Sequence, residues 1–473
     1  MLHNWFILLP EICMLLFFPA AIIVEKYRDE KNSKTFFTLS QFFLLTTIFF
    51  LILFYNKSAF PTLWQNTPLR TMFKTFTCLL AWAWFYLSSK WFLNKNRTSF
   101  NFYSVCFAFL FSLNMMASAS SIFVLALSIT ATCISMYFLI LRHWDVERVR
   151  NISWLYAVYA IIFCSLLWVS VFVIYKQTGH FDYASIKSFY ILNANYDILT
   201  LVAVLIIVAV IMFLMAMVPF HHWFIAFISE GVLPVCGVIT IIPPLIYVCT
   251  LINLMHECFS PFNSFISPVL TGAAALSLVV GALSSNLENN IRRLFAFVYI
   301  YSLGFTLIAL NDFSDKSIIS AFAYLIVIIL SFSGVYTVFL SMKSKGEYLS
   351  ELSSINGFYQ LRPYMSAALM VFMFSLIGMA PTFGFFGYLS VINNLMTSLS
   401  WGKIILLIST LLFVAGACLQ IIRTIYFEPL TNKYDRTDKA IYICLFINMA
   451  ILLVSLINPA WLMQDILIIL GRM

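Results

Sequence analysis

The chain has 473 residues, of which 62% are hydrophobic and only 10% charged, with a mean hydropathy of +0.96. That balance excludes a water-soluble globule and a disordered chain, and it places the polypeptide in a lipid bilayer. The net charge of +8 forms no basic stripe suited to nucleic acid, and the ten cysteines stand singly with no CxxC, so they are expected to act as small buried apolar residues rather than as metal ligands or disulfides.

A spanning helix needs about 20 apolar residues. In chain order, apolar runs fall near 5–24, 37–55, 72–90, 101–118, 121–141, 152–175, 198–218, 232–255, 264–284, 294–311, 317–341, 364–397, 404–425 and 440–458. The pattern predicts an all-α polytopic membrane protein of about fourteen helices. The strands of a membrane barrel would alternate polar and apolar residues, and these runs do not. The first run carries Glu11 and leads into a charged loop rather than a small-residue cleavage site, so it is read as retained. The run at 364–397 is too long for one straight span and is read as broken. The whole chain is expected to be one integral membrane domain: three helices in 1–100, five in 101–258, five in 259–426, and a last helix and tail in 427–473.

None of the 27 Lys and Arg residues falls in the middle of a run. Nineteen lie in loops after odd-numbered runs, leaving eight on the other side. Positive charge stays on the side where the chain is made, so both termini are expected to face outward.

Three sites interrupt the runs. Met217-Val218-Pro219-Phe220-His221-His222-Trp223 ends the seventh, Ile242-Pro243-Pro244-Leu245 divides the eighth, and Ala380-Pro381-Thr382-Phe383-Gly384-Phe385-Phe386-Gly387 divides the twelfth. A proline removes one backbone hydrogen bond and crowds the preceding turn. In hydrocarbon the freed carbonyl must find another partner, so such breaks occur where they line a cavity or pack against other helices. Two of them five helices apart fit an inverted-repeat transporter, with runs 4–8 and 9–13 as the two units. Simple packing kinks explain the same spacing. The stretch Glu288-Asn289-Asn290-Ile291-Arg292-Arg293 reads as a solvated basic cap.

At these motifs the chain resembles the antiporter-like membrane subunits of respiratory complex I, the proton-pumping NADH:quinone oxidoreductase, and among them most resembles subunit N, the counterpart of mitochondrial subunit 2. The resemblance rests on Leu8-Leu9-Pro10-Glu11-Ile12, on Val218-Pro219-Phe220-His221 followed by Trp223, on Asn290-Ile291-Arg292-Arg293-Leu294 followed by Ser302-Leu303-Gly304, and on Gly378-Met379-Ala380-Pro381-Thr382-Phe383-Gly384-Phe385 followed by Gly387. It implies a membrane-arm subunit with two inverted five-helix repeats, without redox cofactors of its own. Its partners would be the other membrane-arm subunits. Its location would be the bacterial inner membrane or the mitochondrial inner membrane.

The resemblance also implies a glutamate in the fifth helix, lysines in the seventh, eighth and twelfth, and a histidine in the tenth. Here those positions hold Thr130, Leu214, Pro244, Tyr388 and Ser302. A lysine is kept at the membrane midplane because burial brings it into a range where it can gain and lose charge. Leucine and proline hold no proton. Threonine, serine and tyrosine can pass one along but do not store charge near neutral pH. The lysine-based cycle is therefore expected to be absent. Glu11 is the only acid well inside a run, read either as a contact with a neighbouring helix or subunit or as a relay. His221, at the first break, is read either as a relay or as a hydrogen bond to the broken backbone. A possible proton path thus comprises Glu11, Thr130, His221, Ser302 and Tyr388. Asp197, Glu230 and Glu257, at segment ends, are expected to be solvated. The rival readings are a secondary transporter on the same fold, supported only by Thr382, His221 and Ser229 at the breaks, and a paralogue that no longer joins the complex.

Overall fold

The computed structural model describes residues 7–26, 32–55, 57, 60, 62–93, 99–141, 147–193, 197–310, 312–344, 347–348, 350–431, 433–435, 437 and 439–454. Arg28, Lys31, Lys95, Arg97, Arg142, Lys345, Arg436 and the far end of the last apolar run lie outside them. The described residues are mostly helical, because a helix is the one open-ended structure that pairs every backbone polar group within a single lipid-embedded segment. Among the described residues, eight helices are long and apolar enough to cross a membrane, and four shorter helices of 10–17 residues are also apolar. A short hairpin pairs Lys343–Ser344 with Glu347–Tyr348.

The chain divides into two compact units. The first holds the described residues up to Met215 together with Ile242–Ile266. Its long helices are Leu9–Lys26, Asn32–Leu53, Pro68–Leu93, Ser99–Ser118, Ile122–Leu141, Glu147–Thr178 and Ile198–Leu214, with Pro244–Glu257 packed against Ser99–Ser118 and Pro68–Leu93. Phe17 forms the centre of the first three-helix contact. It is fully buried, stacks on Phe107 at 3.9 Å and meets Phe43 edge-on at 5.8 Å, a geometry that adds to the large apolar area each ring removes. Phe42, Ile52, Ile161 and Phe172 point outward, each more than half exposed, as lipid-facing side chains do.

The second unit holds Ala216–Ile241 and the described residues from Ser267 to Val454. Ile291–Ala309 and Asp315–Ser341 form its centre and are almost wholly buried. Small residues let the helices approach closely: a Cβ on Gly304 would lie 3.0 Å from the Ala274 carbonyl, and one on Gly281 would lie 2.8 Å from that of Phe297. Asn290 caps Ile291–Ala309 by accepting from the amides of Arg292 and Arg293. The expected solvated cap is only half right. Arg293 is exposed, but Arg292 reaches inward and donates to the Gly231 carbonyl at 3.0 Å, placing a cation at the end of His222–Glu230, where the helix dipole is negative.

Candidate functional site

The interruptions come first, because backbone groups freed by a break are what a site is built from. Ile198–Leu214 ends just before Ala216, which has φ 54°, and the helix resumes at His222 after a cis Val218–Pro219 bond. The Val218 amide donates to Ser277 Oγ at 3.0 Å, and that hydroxyl donates to the Ala273 carbonyl at 2.8 Å. Ser277 therefore satisfies one amide freed at the break, and the His221 ring bonds the Pro219 backbone beside it. The His221 ring is buried against His222 with centroids 4.3 Å apart, and its Nδ1 makes no hydrogen bond among the described residues. Leu233–Ile241 stops before Ile242, and Pro243 stands at the N-cap of Pro244–Glu257. Pro363–Ile377 ends at Gly378, φ 77°, and Phe383–Thr397 begins after a cis Ala380–Pro381 bond.

At this last break Tyr388 fills the place where the resemblance calls for a lysine. Its hydroxyl donates to the Leu376 carbonyl at 2.8 Å and accepts from Tyr324 Oη at 3.3 Å. Leu376 lies in the final turn of its helix, where carbonyls lack intrahelical partners, so the phenol serves as a cap. The ring lies 4.6 Å from Phe305 and 5.1 Å from Tyr324. A Cβ on Gly378 would meet it at 2.4 Å, and Gly387 packs against Val327. Ser302 is buried beside Tyr324, with its hydroxyl on its own Val298 carbonyl. Tyr388 and Ser302 thus share one neighbourhood, joined by Tyr324. In the first unit, Thr130 is half-exposed and its hydroxyl is turned back onto Leu127 at 2.9 Å, with no tie to Glu11. Leu214 and Pro244 are buried and apolar.

Among the described residues the buried charges are elsewhere: Arg362 in the second unit, and Glu11, Arg70 and Lys74 in the first. Lys74 is fully buried in Pro68–Leu93 and donates to Glu11 Oε1 at 2.6 Å and to Asn66 Oδ1 at 3.0 Å, with its ammonium 4.7 Å from the Trp64 ring. One turn earlier, Arg70 is equally buried. It donates to the Gln65 and Ser118 carbonyls and to Ser120 Oγ, and it pairs with Glu257 at 2.5 Å. Ser118 Oγ donates to the same Asn66 oxygen that Lys74 uses. One expectation changes here and one is met. Glu257 is not simply solvated: it neutralises Arg70. Glu11 does contact a neighbouring helix, but the partner is a lysine of this same chain. Lys74 lies about 9 Å along its helix at 1.5 Å per residue, so it sits toward one end of the run. What the sequence reading missed is its burial. The available signal was the Arg70/Lys74 spacing of four, which puts two cations on one face at the start of an apolar helix.

A family model described as NADH:quinone oxidoreductase/Mrp antiporter, TM, matches residues 119–414. The chain belongs to this family. As a family member it is a multi-pass membrane protein. It is 23% identical to NADH-quinone oxidoreductase subunit N of Rhodospirillum rubrum, across 80% of this chain and 77% of that protein. It is 22% identical to the subunit N of Alkalilimnicola ehrlichii, across 91% and 89%. The fold is shared with a chain of respiratory complex I from Thermus thermophilus with bound aureothin, at TM-score 0.81 and 18% identity over 96% of this chain and 98% of that one. It is also shared with a chain of the archaeal membrane-bound sulfane sulfur reductase, at TM-score 0.81 and 15% identity over 97% and 96%. The stretch matched by the family model takes in all three interruptions and leaves out Glu11, Asn66, Arg70 and Lys74.

Proposed function

We propose that this chain is the subunit N-like component of the membrane arm of a proton-translocating NADH:quinone oxidoreductase. It works beside the other membrane-arm subunits and carries no redox centre. The observation that carries this reading is coverage: relatives named subunit N align with most of the chain and most of their own length. In this reading the chain spans the membrane with about fourteen helices, and 101–258 and 259–426 are inverted five-helix repeats broken at Pro219 and Pro381. Both termini face outward, in a bacterial or mitochondrial inner membrane. A cysteine placed at position 148 of a Cys-depleted chain is expected to react only from the inner side of sealed membranes. Reaction from outside would reverse the topology.

The chain contributes architecture rather than a lysine-driven proton cycle through its breaks. Leu214 and Pro244 are apolar, Thr130 hydrogen-bonds its own helix, and Tyr388 is occupied as a cap. A tagged chain purified from native membranes is expected to bring down NADH-oxidising, quinone-reducing activity together with other membrane-arm subunits. A chain that migrates apart from that activity is instead a transporter or a paralogue. In the purified complex, Tyr388→Phe and Thr130→Val are expected to leave the protons moved per NADH unchanged. Tyr388→Phe should lower thermal stability by about 1 kcal/mol for the lost carbonyl partner. A clear fall in proton yield from a normally assembled complex would assign those hydroxyls a relay role.

A further inference from the structure

The buried charges of the first unit lie beside a way in. Ser120, Asp182, Lys187, Ser188, His256 and Glu257 line a surface cleft of about 600 Å³. From Glu257 inward, polar groups succeed one another: Glu257 pairs with Arg70, Arg70 donates to the Ser118 carbonyl, Asn66 Oδ1 accepts from both Ser118 Oγ and Lys74, and Lys74 donates to Glu11. The cleft residues come from the loops after the fourth, sixth and eighth apolar runs and the ends of their neighbouring helices, so one face of the unit supplies them all.

Two features separate the inner pair from a static brace. Burying two ions costs several kcal/mol each, and an apolar pair of the same volume often serves stability as well or better. The pair is also unsaturated. Glu11 is 4% exposed, yet its Oε2 has no hydrogen-bond partner among the described residues, and neither has Asn114 Oδ1 on the helix packed against it. A buried carboxylate with one bare oxygen is costly, whereas a protonated carboxyl carries its O–H there. Lys74 does not depend on Glu11 alone, because the Asn66 oxygen and the Trp64 face remain when Glu11 is neutral.

We propose that Glu11 and Lys74 form a proton-storing site loaded from this cleft. In the empty state Glu11 is a carboxylate and Lys74 an ammonium. A proton released by hydronium in the cleft bonds to Glu11 Oε2. One O–H bond breaks in the carrier, one forms on Glu11, and the site gains one positive charge with nothing oxidised or reduced. Lys74 keeps its three N–H bonds and holds to Asn66 and Trp64. Unloading is the reverse step. The other groups near the pair are Arg70 and Cys78, one turn to either side of Lys74, Cys13 beyond Glu11, and Glu257. Asn32–Leu53 itself brings no charge to this end, its Lys34 lying at the other, but Lys57 follows it, exposed and over the Phe54 ring that packs against the Trp64 cluster.

The test uses the full-length chain in lipid vesicles, so its result does not depend on whether the chain assembles with other subunits. Infrared difference spectra between acid and alkaline baths are expected to contain a protonated-carboxyl C=O band that Glu11→Gln abolishes. Deuterium exchange of that band from the bath is expected to slow severalfold in Ser188→Trp, which narrows the cleft and leaves every charged group in the chain. If Glu11→Gln does not fold, the doubly apolar Glu11→Leu/Lys74→Met chain, which leaves no unpaired charge, serves as the control lacking the band. A band that persists in the control, no band in the unaltered chain, or exchange indifferent to Ser188→Trp would each overturn the proposal.

Discussion

Arg70→Met is expected to cost the first unit about 3 kcal/mol through the broken pair alone, the lower end of the range for removing one partner of a buried ion pair. The lower end applies because Glu257 is 33% exposed and regains some water when its partner is lost. The loss is larger than the pair alone, since the same guanidinium serves the Gln65 and Ser118 carbonyls and Ser120 Oγ, and a buried carbonyl left without its donor costs about 1–3 kcal/mol. Thermal unfolding in detergent, followed by the monodisperse fraction on size exclusion, reads the effect. Adding Glu257→Leu should recover most of what the charge imbalance removed and none of what the two carbonyls lost. A single variant with an unchanged melting point would mean that the cluster contributes nothing to folding.

Gly384→Ala is expected to be as damaging for a purely steric reason. An added Cβ would stand 2.0 Å from the Ser375 carbonyl oxygen and 2.8 Å from its carbon. Both are backbone atoms of the half-helix Pro363–Ile377, which cannot step aside without moving the break itself. Overpacking of this kind costs about 1–3 kcal/mol or more. Gly272→Ala is the matched control. It lies inside Asn263–Leu287 with nothing within 4 Å of the added atom, so better helix propensity should raise stability by about 0.5–1 kcal/mol. Equal melting points for the two variants would show that the half-helices at 377–383 are not held as closely as this geometry requires.

The interruptions were legible because proline acts locally: Pro219, Pro243, Pro244 and Pro381 each disturb hydrogen bonds within one turn, wherever the rest of the chain lies. The helices were legible because every apolar run had to pair its backbone internally. What could not be read was facing. Thr130 sits on a helix whose lipid side, with Phe123, Leu127 and Ile134 exposed, is as apolar as its packed side, so periodicity gives no direction. Nor could pairing be read. Glu11 and Lys74 are 63 residues apart, and Glu257 is 187 from Arg70. Each looked like an ordinary helix-end charge until the fold placed them side by side. The cap made by Tyr388 was hidden for a related reason: the substitution showed what was lost from the position but not which carbonyl the phenol would serve.

The ring cluster of Phe305, Tyr324 and Tyr388 has an electrical consequence. An ammonium at that position would hold water around itself, and a hydrated gap is a path along which ions leak. Three packed rings stand there instead, and in the proposed reading this part of the second unit acts as an insulator. Each 100 mV across the membrane is worth about 2.3 kcal/mol per charge moved, and a wall that lets no charge slip back preserves that gradient for whichever component uses it.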